Sequence, residues 1–265
     1  MPSENIDASD EVGDRRSRKR EARRAHLLDL AADLVEQAGV TGVTMAALAE
    51  AADYAPASLY TYFPSRSALV AAVQERALRS LGAVADRHLV ATAAAARGAD
   101  RPEVGALARC CAFADLFLAA PVRHPREFRL QQELLVTRGV EEAEDAGRLV
   151  PVAMLVLDAP RQLLAAAVAA GALAPAGPLA PAADPLGEPV DASVARTLAW
   201  VVALNGALLT DGLVTGLPTT GAHLGTQLTD ALLVGWGAAT DHLAAARAMT
   251  ATWTLDDIDP IGATP

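Results

Sequence analysis

Apolar residues recur at three- and four-residue intervals along most of the chain, while strand-like alternation is scarce, so the pattern predicts helices throughout. Leu27, Leu30, Ala31, Leu34, Val35 and Ala38 form one stripe of a first helix expected over Ser17 to Ala38, with Gly39 placed to stop it. Thr44 is the natural N-cap of a second helix whose inward face is Met45, Leu48 and Ala49 and which ends near Ala52. Asp53, Tyr54 and Ala55 make a turn, and Pro56 opens a third helix expected to reach Tyr62, with Leu59 and Phe63 facing inward. Pro64 ends that helix, and Ser65 caps a fourth that extends past Gly82 towards Arg97. Two short helices joined by so brief a turn read as a helix-turn-helix.

Farther on, a fifth helix is expected over Pro102 to Ala120, with Leu107, Cys110, Cys111, Ala114 and Leu118 on one stripe and Pro121 and Pro125 bracketing a turn. A sixth runs from Pro125 to Asp145 and a seventh from Pro151 to Leu173, interrupted at Pro160. Five prolines between Ala174 and Val190 make that stretch a surface loop. The last two helices, Ala192 to Leu217 and Thr219 to Met249, are antiparallel neighbours across a turn at Leu217 and Pro218. Both are apolar nearly all round and therefore need covering. The fold class is all-α: an N-terminal three-helix helix-turn-helix domain at 15–66 and a larger helical ligand-binding and dimerisation domain at 67–250. A disordered acidic tail is expected at 1–14 and a loose C-terminal tail at 251–265.

With 52% hydrophobic residues in 265 and a mean hydropathy of +0.24, a sizeable core is assured. The net charge of −10 argues against nucleic acid as a partner until its distribution is considered. Arg15, Arg16, Arg18, Lys19, Arg20, Arg23 and Arg24 face one acid, Glu21, whereas from residue 67 onward 14 basic residues meet 21 acidic ones. The front of the chain suits a polyanion and the acidity belongs to the body. All three tyrosines, Tyr54, Tyr60 and Tyr62, fall within nine residues of the helix-turn-helix although aromatics make up only 4% of the chain. Adjacent Cys110 and Cys111 lack metal-ligand or disulfide spacing and read as small apolar residues in a reducing compartment. The polar, acidic N-terminus is no signal peptide, and Thr197 to Thr210 is too short an uncharged run to span a bilayer, so a soluble, cytoplasmic protein without a membrane partner is expected.

The stretch TMAALAEAADYAPASLYTYFPSRSAL resembles the DNA-binding domain of the tetracycline-repressor (TetR/AcrR) family, through Thr44, Leu48, Ala49, Leu59, Tyr60, Tyr62, Phe63, Ser65 and Arg66. The resemblance covers about residues 20 to 75. Asp53 stands where that family usually has Gly, and Arg66 where Lys is usual. Carried over position by position, the resemblance implies groove contacts for Ser58 and Tyr62, thymine-methyl contact for Ala57, and phosphate contacts for Tyr60, Thr44 and Arg66. Thr61 joins the same recognition helix, and Lys19, Arg20 and Arg23 reach the backbone or the minor groove. Tyr54, in the turn, is assigned a structural place. The resemblance further implies a four-helix dimer interface from helices 192–217 and 219–249, double-stranded operator DNA as partner, and a small-molecule effector. The function expected is a ligand-responsive transcriptional regulator, a repressor released from a palindrome by an apolar or amphipathic molecule.

Candidate walls of an effector pocket are Phe113, Phe117, Phe128, Met154, Trp200 and Leu204, with Asn205 or His124 as polar fixtures, and each equally fits an ordinary place in the core. No HExxH, GxSxG, phosphate-binding loop or dinucleotide fingerprint occurs, and the five histidines are dispersed. Hence no enzyme activity, cofactor or metal is expected. A constitutive DNA-binding architectural protein is the alternative; the large body, more than dimerisation needs, weighs against it.

Overall fold

The protein is described here by a computed structural model covering residues 8–136, 143–177, 192–213 and 219–259. The described residues form helices α1 (Ala8–Gly42), α2 (Met45–Ala52), α3 (Pro56–Leu59), α4 (Arg66–Ala95), α5 (Pro102–Arg123), α6 (Pro125–Val136), α7 (Ala143–Ala169), α8 (Ala192–Leu213), α9 (Gly221–Gly235), α10 (Thr240–Thr250) and α11 (Leu255–Ile258). No strand occurs among them. The chain divides into two compact units, Met1–Leu78 with Arg126–Pro151, and Arg79–Pro125 with Val152–Pro265. The division between Leu78 and Arg79 falls inside α4, and the segment from Arg126 joins the first unit.

In the first unit the expected stripe of α1 is buried: Leu27, Leu28, Ala31 and Val35 pack with Leu48 of α2, Leu59, Phe63, and Leu69, Val70 and Val73 of α4. Those first turns of α4 are apolar because they close the core, so the division falls within that helix. Leu130 of α6 enters the same cluster. Beside it Arg126 donates from Nη2 to the Asp29 carbonyl at 3.0 Å and pairs with Asp33 at 3.0 Å and Glu36 at 3.4 Å. These partly exposed pairs fix register more than they stabilise. Helix α1 begins earlier than expected, at Ala8, and its regular run is broken at Gly39 (φ 68°, ψ 178°), where a stop is expected.

The second unit is built around α5, which buries Leu107, Ala108, Cys110, Cys111, Phe113, Ala114 and Leu118. Against it pack Leu163, Leu164 and Ala167 of α7, Trp200 and Leu204 of α8, Leu233 of α9, and Leu243 and Ala246 of α10. Burial pushes the Cys111 thiol up to about 12 and that of Cys110 higher still, so both are packing groups without thiolate chemistry at neutral pH. Burial likewise raises the Asp115 carboxyl above the ordinary aspartate range, against the pull of Arg247, which lies 3.1 Å away and also pairs with Asp230 at 2.7 Å.

Several element boundaries differ from the pattern-based expectation. Pro121 lies inside α5, which runs on to Arg123 with His124 as its C-cap. Pro160 is buried inside an uninterrupted α7. The sixth helix stops at Val136, and Glu141 and Glu142 of the expected acidic end lie outside the described residues. The helix expected from Thr219 to Met249 is two helices. Gly237 adopts φ +106°, its N–H reaches Val234 O at 2.9 Å, and the Ala238 N–H reaches Leu233 O at 3.0 Å, a Schellman stop.

The C-terminal segment corrects the expectation of a loose tail from 251. Trp253 packs on the helical core. Beyond it the fully buried Asp259 Oδ2 lies 3.1 Å from Arg123 Nε and 2.7 Å from His124 Nε2, and its carbonyl accepts from Arg123 Nη2 at 2.9 Å. Asp256 adds a 3.0 Å contact to the same guanidinium.

Candidate nucleic-acid interface

Thr44, in extended conformation (φ −122°, ψ 158°), caps α2 by accepting from the Ala47 N–H at 3.0 Å through Oγ1. That satisfies one of the orphan donors of the first turn. Helix α2 ends in a Schellman motif centred on Asp53: its own N–H reaches Glu50 O at 3.3 Å, and the next N–H, of Tyr54, reaches Ala49 O at 2.9 Å. Asp53 is left-handed (φ 54°, ψ 48°), the one non-glycine residue with positive φ among the described residues. An aspartate visits this region more readily than most side chains. Asp53→Gly should accordingly leave stability unchanged or slightly raised, whereas Asp53→Val should lower it by about 1–2 kcal/mol, measured by chemical denaturation.

The turn delivers Ala55 in extended conformation and Pro56 at the first position of α3. Helix α3 is only four residues long; the expected continuation to Tyr62 is a turn instead. The Tyr62 and Phe63 N–H groups both reach Leu59 O at 2.9 Å, and Pro64 then rules out helix. Leu59 and Phe63 point into the core, while Ala57, Ser58, Tyr60 and Thr61 are exposed. Ser65 caps α4 as expected, its Oγ accepting from the Ala68 N–H at 3.0 Å.

The tyrosines differ as their positions do. Tyr60 is 52% exposed. Tyr62 and Tyr54 are half-buried against the core of the first unit. Arg23 stands 5.9 Å from the Tyr54 ring centre, which supports a structural place for that tyrosine. Lys19, Arg20 and Arg23 are exposed on α1. Arg20 Nη2 also donates to the Thr61 carbonyl at 2.9 Å. Arg66 departs most from its assignment as a phosphate contact: Nε donates to Val43 O and Nη2 to Val40 O, both at 2.7 Å. Its guanidinium ties together the link between α1 and α2. These two arginine contacts escaped the pattern-based reading because they span 41 and 23–26 residues, beyond any helical period.

The expected effector residues are only partly brought together. In the second unit Phe113 lies 5.2 Å from Trp200 and 6.3 Å from Phe117, ring centre to ring centre, with Leu204 fully buried in the same cluster. His88, not singled out from the pattern, is fully buried and meets Phe113 edge-on at 5.9 Å. Its signal was a histidine on the apolar stripe of α4. Phe128 belongs to the first unit and so does not share this cluster. The Met154 side chain lies outside the described residues. Asn205 donates back to Val201 O of its own helix at 2.9 Å, and His124 is engaged by Asp259.

The family model described as "Bacterial regulatory proteins, tetR family" matches residues 27–73, the span of this interface. Over that stretch the chain is similar to the TetR family of regulators. Among curated TetR-family relatives, the HTH-type transcriptional regulator BetI of Burkholderia thailandensis is 34% identical over 103 residues, 39% of this chain and 50% of the relative. BetI of Paraburkholderia phymatum is 33% identical over 87 residues, 33% of this chain and 44% of the relative. The chain thus spans about half the length of the curated relatives it matches. Two solved structures share the fold over most of the chain. SmeT, the repressor of the Stenotrophomonas maltophilia multidrug efflux pump SmeDEF, has a TM-score of 0.56 at 16% identity, covering 83% of this chain and 92% of that one. RolR in complex with resorcinol has a TM-score of 0.51 at 20% identity, covering 89% and 97%.

Proposed function

We infer that this chain is a TetR-family, ligand-responsive transcriptional regulator, a repressor that binds a palindromic DNA site as a dimer. The observation that carries the reading is the exposed first turn of α3, Ala57 and Ser58 with Tyr60 beyond it, presented by a capped frame next to the seven cations of α1. In this reading Tyr60 and the cations of α1 other than Arg20 meet phosphates, which fix position, and Ser58, Ala57 and the rim of Tyr62 meet base edges, which specify. So short a reader covers few base pairs, and two of them about one helical turn apart, near 34 Å, supply selectivity.

Support for the dimer comes from α8, where Leu198 (40%), Val202 (66%) and Leu209 (42%) are exposed on an apolar helix. By length and composition, Ala192–Thr210 could cross a membrane, although the uncharged run at its centre had read as too short, and only 22% of it is buried within this chain. A second copy is the occupant that accounts for this face in a DNA-reading chain. The effector is assigned to the second unit, at the cluster of Phe113, Phe117, Trp200 and Leu204. It releases DNA only through the difference between its affinities for the DNA-competent and DNA-incompetent states.

The test is binding of the purified protein to its upstream region as salt is varied. Affinity for a palindromic duplex is expected to fall steeply, with a slope of about 0.9 per phosphate engaged. Ser58→Ala with Tyr62→Ala should weaken that duplex by roughly tenfold or more, since a good base contact is worth about 1–3 kcal/mol. Selective binding that survives the double substitution would overturn the reader, and release by no small molecule would favour a constitutive architectural role.

A further inference from the structure

The sequence places Arg20 in a run of cations whose obvious task is to meet phosphate, yet its guanidinium is committed elsewhere. Nη2 donates at 2.9 Å to the carbonyl of Thr61, 41 residues away. The acceptor is one that the local backbone serves poorly. A carbonyl at the end of a helical turn normally receives an N–H three or four residues on, and three residues beyond Thr61 stands Pro64, which has none. Around it the Leu59 and Ser58 carbonyls are satisfied within the turn. Leu59 O receives two N–H groups, and Ser58 O receives the Thr61 hydroxyl at 2.7 Å as well as the Thr61 N–H at 3.3 Å. Arginine side chains supply missing donors at helix C-termini in this way, with the added attraction of a cation for the negative end.

We propose that Arg20 is a positioning residue for the DNA reader: it holds the turn of residues 60–62 by its bond to the Thr61 carbonyl, and so sets how Tyr60, Thr61 and Tyr62 are presented. This rests on the DNA-reading function proposed above. Arg23 and Arg24 reinforce the geometry from the same helix, lying 5.9 Å from the Tyr54 ring centre and 5.3 Å from that of Phe63. Three arginines of α1 therefore rest on the turn before α3 and the turn after it. A helix of four residues has too few internal hydrogen bonds to hold its own exit, and the arm supplies the constraint from outside.

The experiment separates positioning from phosphate contact by using the protein with and without DNA. Amide exchange is measured in the free protein, and affinities for the palindrome and for a scrambled duplex are measured across salt, for wild type, Arg20→Ala, Arg20→Lys and Lys19→Ala. Positioning predicts several-fold faster exchange at the Tyr62 and Phe63 amides in Arg20→Ala, with no change there in Lys19→Ala. It also predicts a palindrome-to-scrambled ratio at least about fivefold lower in Arg20→Ala, with the salt slope kept within half of one phosphate contact, and partial recovery of that ratio in Arg20→Lys. The proposal is overturned if Arg20→Ala leaves both amides unchanged, preserves the ratio and lowers the slope by about 0.9, as loss of one phosphate contact would. If wild type itself prefers no palindrome, the DNA-reading function fails, and the exchange data alone still decide whether Arg20 holds the turn.

Discussion

Trp200→Ala is expected to remove about 3–5 kcal/mol of stability, enough to unfold much of the population of a marginal domain. Trp200 is 1% exposed, stacks at a tilt on Phe113, and donates from Nε1 to the Thr229 hydroxyl at 3.0 Å, joining α8 to α9. Alanine would leave a cavity beside Phe113 and also strand a fully buried hydroxyl. Trp200→Phe refills most of the volume without the donor and should cost about half as much or less. Chemical denaturation with probes in each unit measures both. The loss should appear in the transition of the second unit, and a shift of less than about 1 kcal/mol for alanine would show that this cluster is not the centre of its core.

The second large effect is expected at the other end of the chain. Asp259→Ala leaves Arg123 and His124, both mostly buried, facing a site from which their buried counter-charge has gone. Breaking such a pair from one side costs about 3–5 kcal/mol when both partners are buried. Arg123 keeps 15% exposure and a contact to the exposed Asp256, which places the expected loss near the lower end. Thermal unfolding compared between wild type, Asp259→Ala and a chain ending after Thr252 gives the check. Truncation should cost at least as much as the substitution, because it removes Trp253 from the core together with this carboxylate. If both variants melt with wild type, the latch contributes nothing and the tail is loose after all.

The parts of the fold that were legible in the sequence are those fixed by neighbours in the chain. Thr44 and Ser65 announce helix starts because a hydroxyl one residue ahead of a helix has a donor within reach, and both hydroxyls are so used. The stripe of α1 is legible because burial of one face requires its spacing, and Asp53 because a two-helix turn requires a left-handed residue somewhere between Ala52 and Pro56. What could not be read depends on distant partners. Pro160 looks like a break until the burial around it is known, and Gly237 looks like a packing glycine until its φ of +106° shows it to be a stop. The acidic tail looks solvated until Arg123 and His124 are found opposite Asp259. The same reason divides the candidate site: exposure of Ser58 and Tyr60 follows from their neighbours, but the engagement of Arg20 and Arg66 does not.

Arg66 has a consequence for what substitution can mean in the first unit. One planar group spans two carbonyls, Val40 O and Val43 O, on the far side of the Gly39 kink, where the backbone occupies a region open in practice to glycine. Lysine would keep the charge but present a single point donor without the fork. At position 66, then, charge and shape are separable properties: an exchange that is silent electrostatically changes the angle at which α2 leaves α1. Variation there would be felt as mechanical slack in the frame and not as a weaker field.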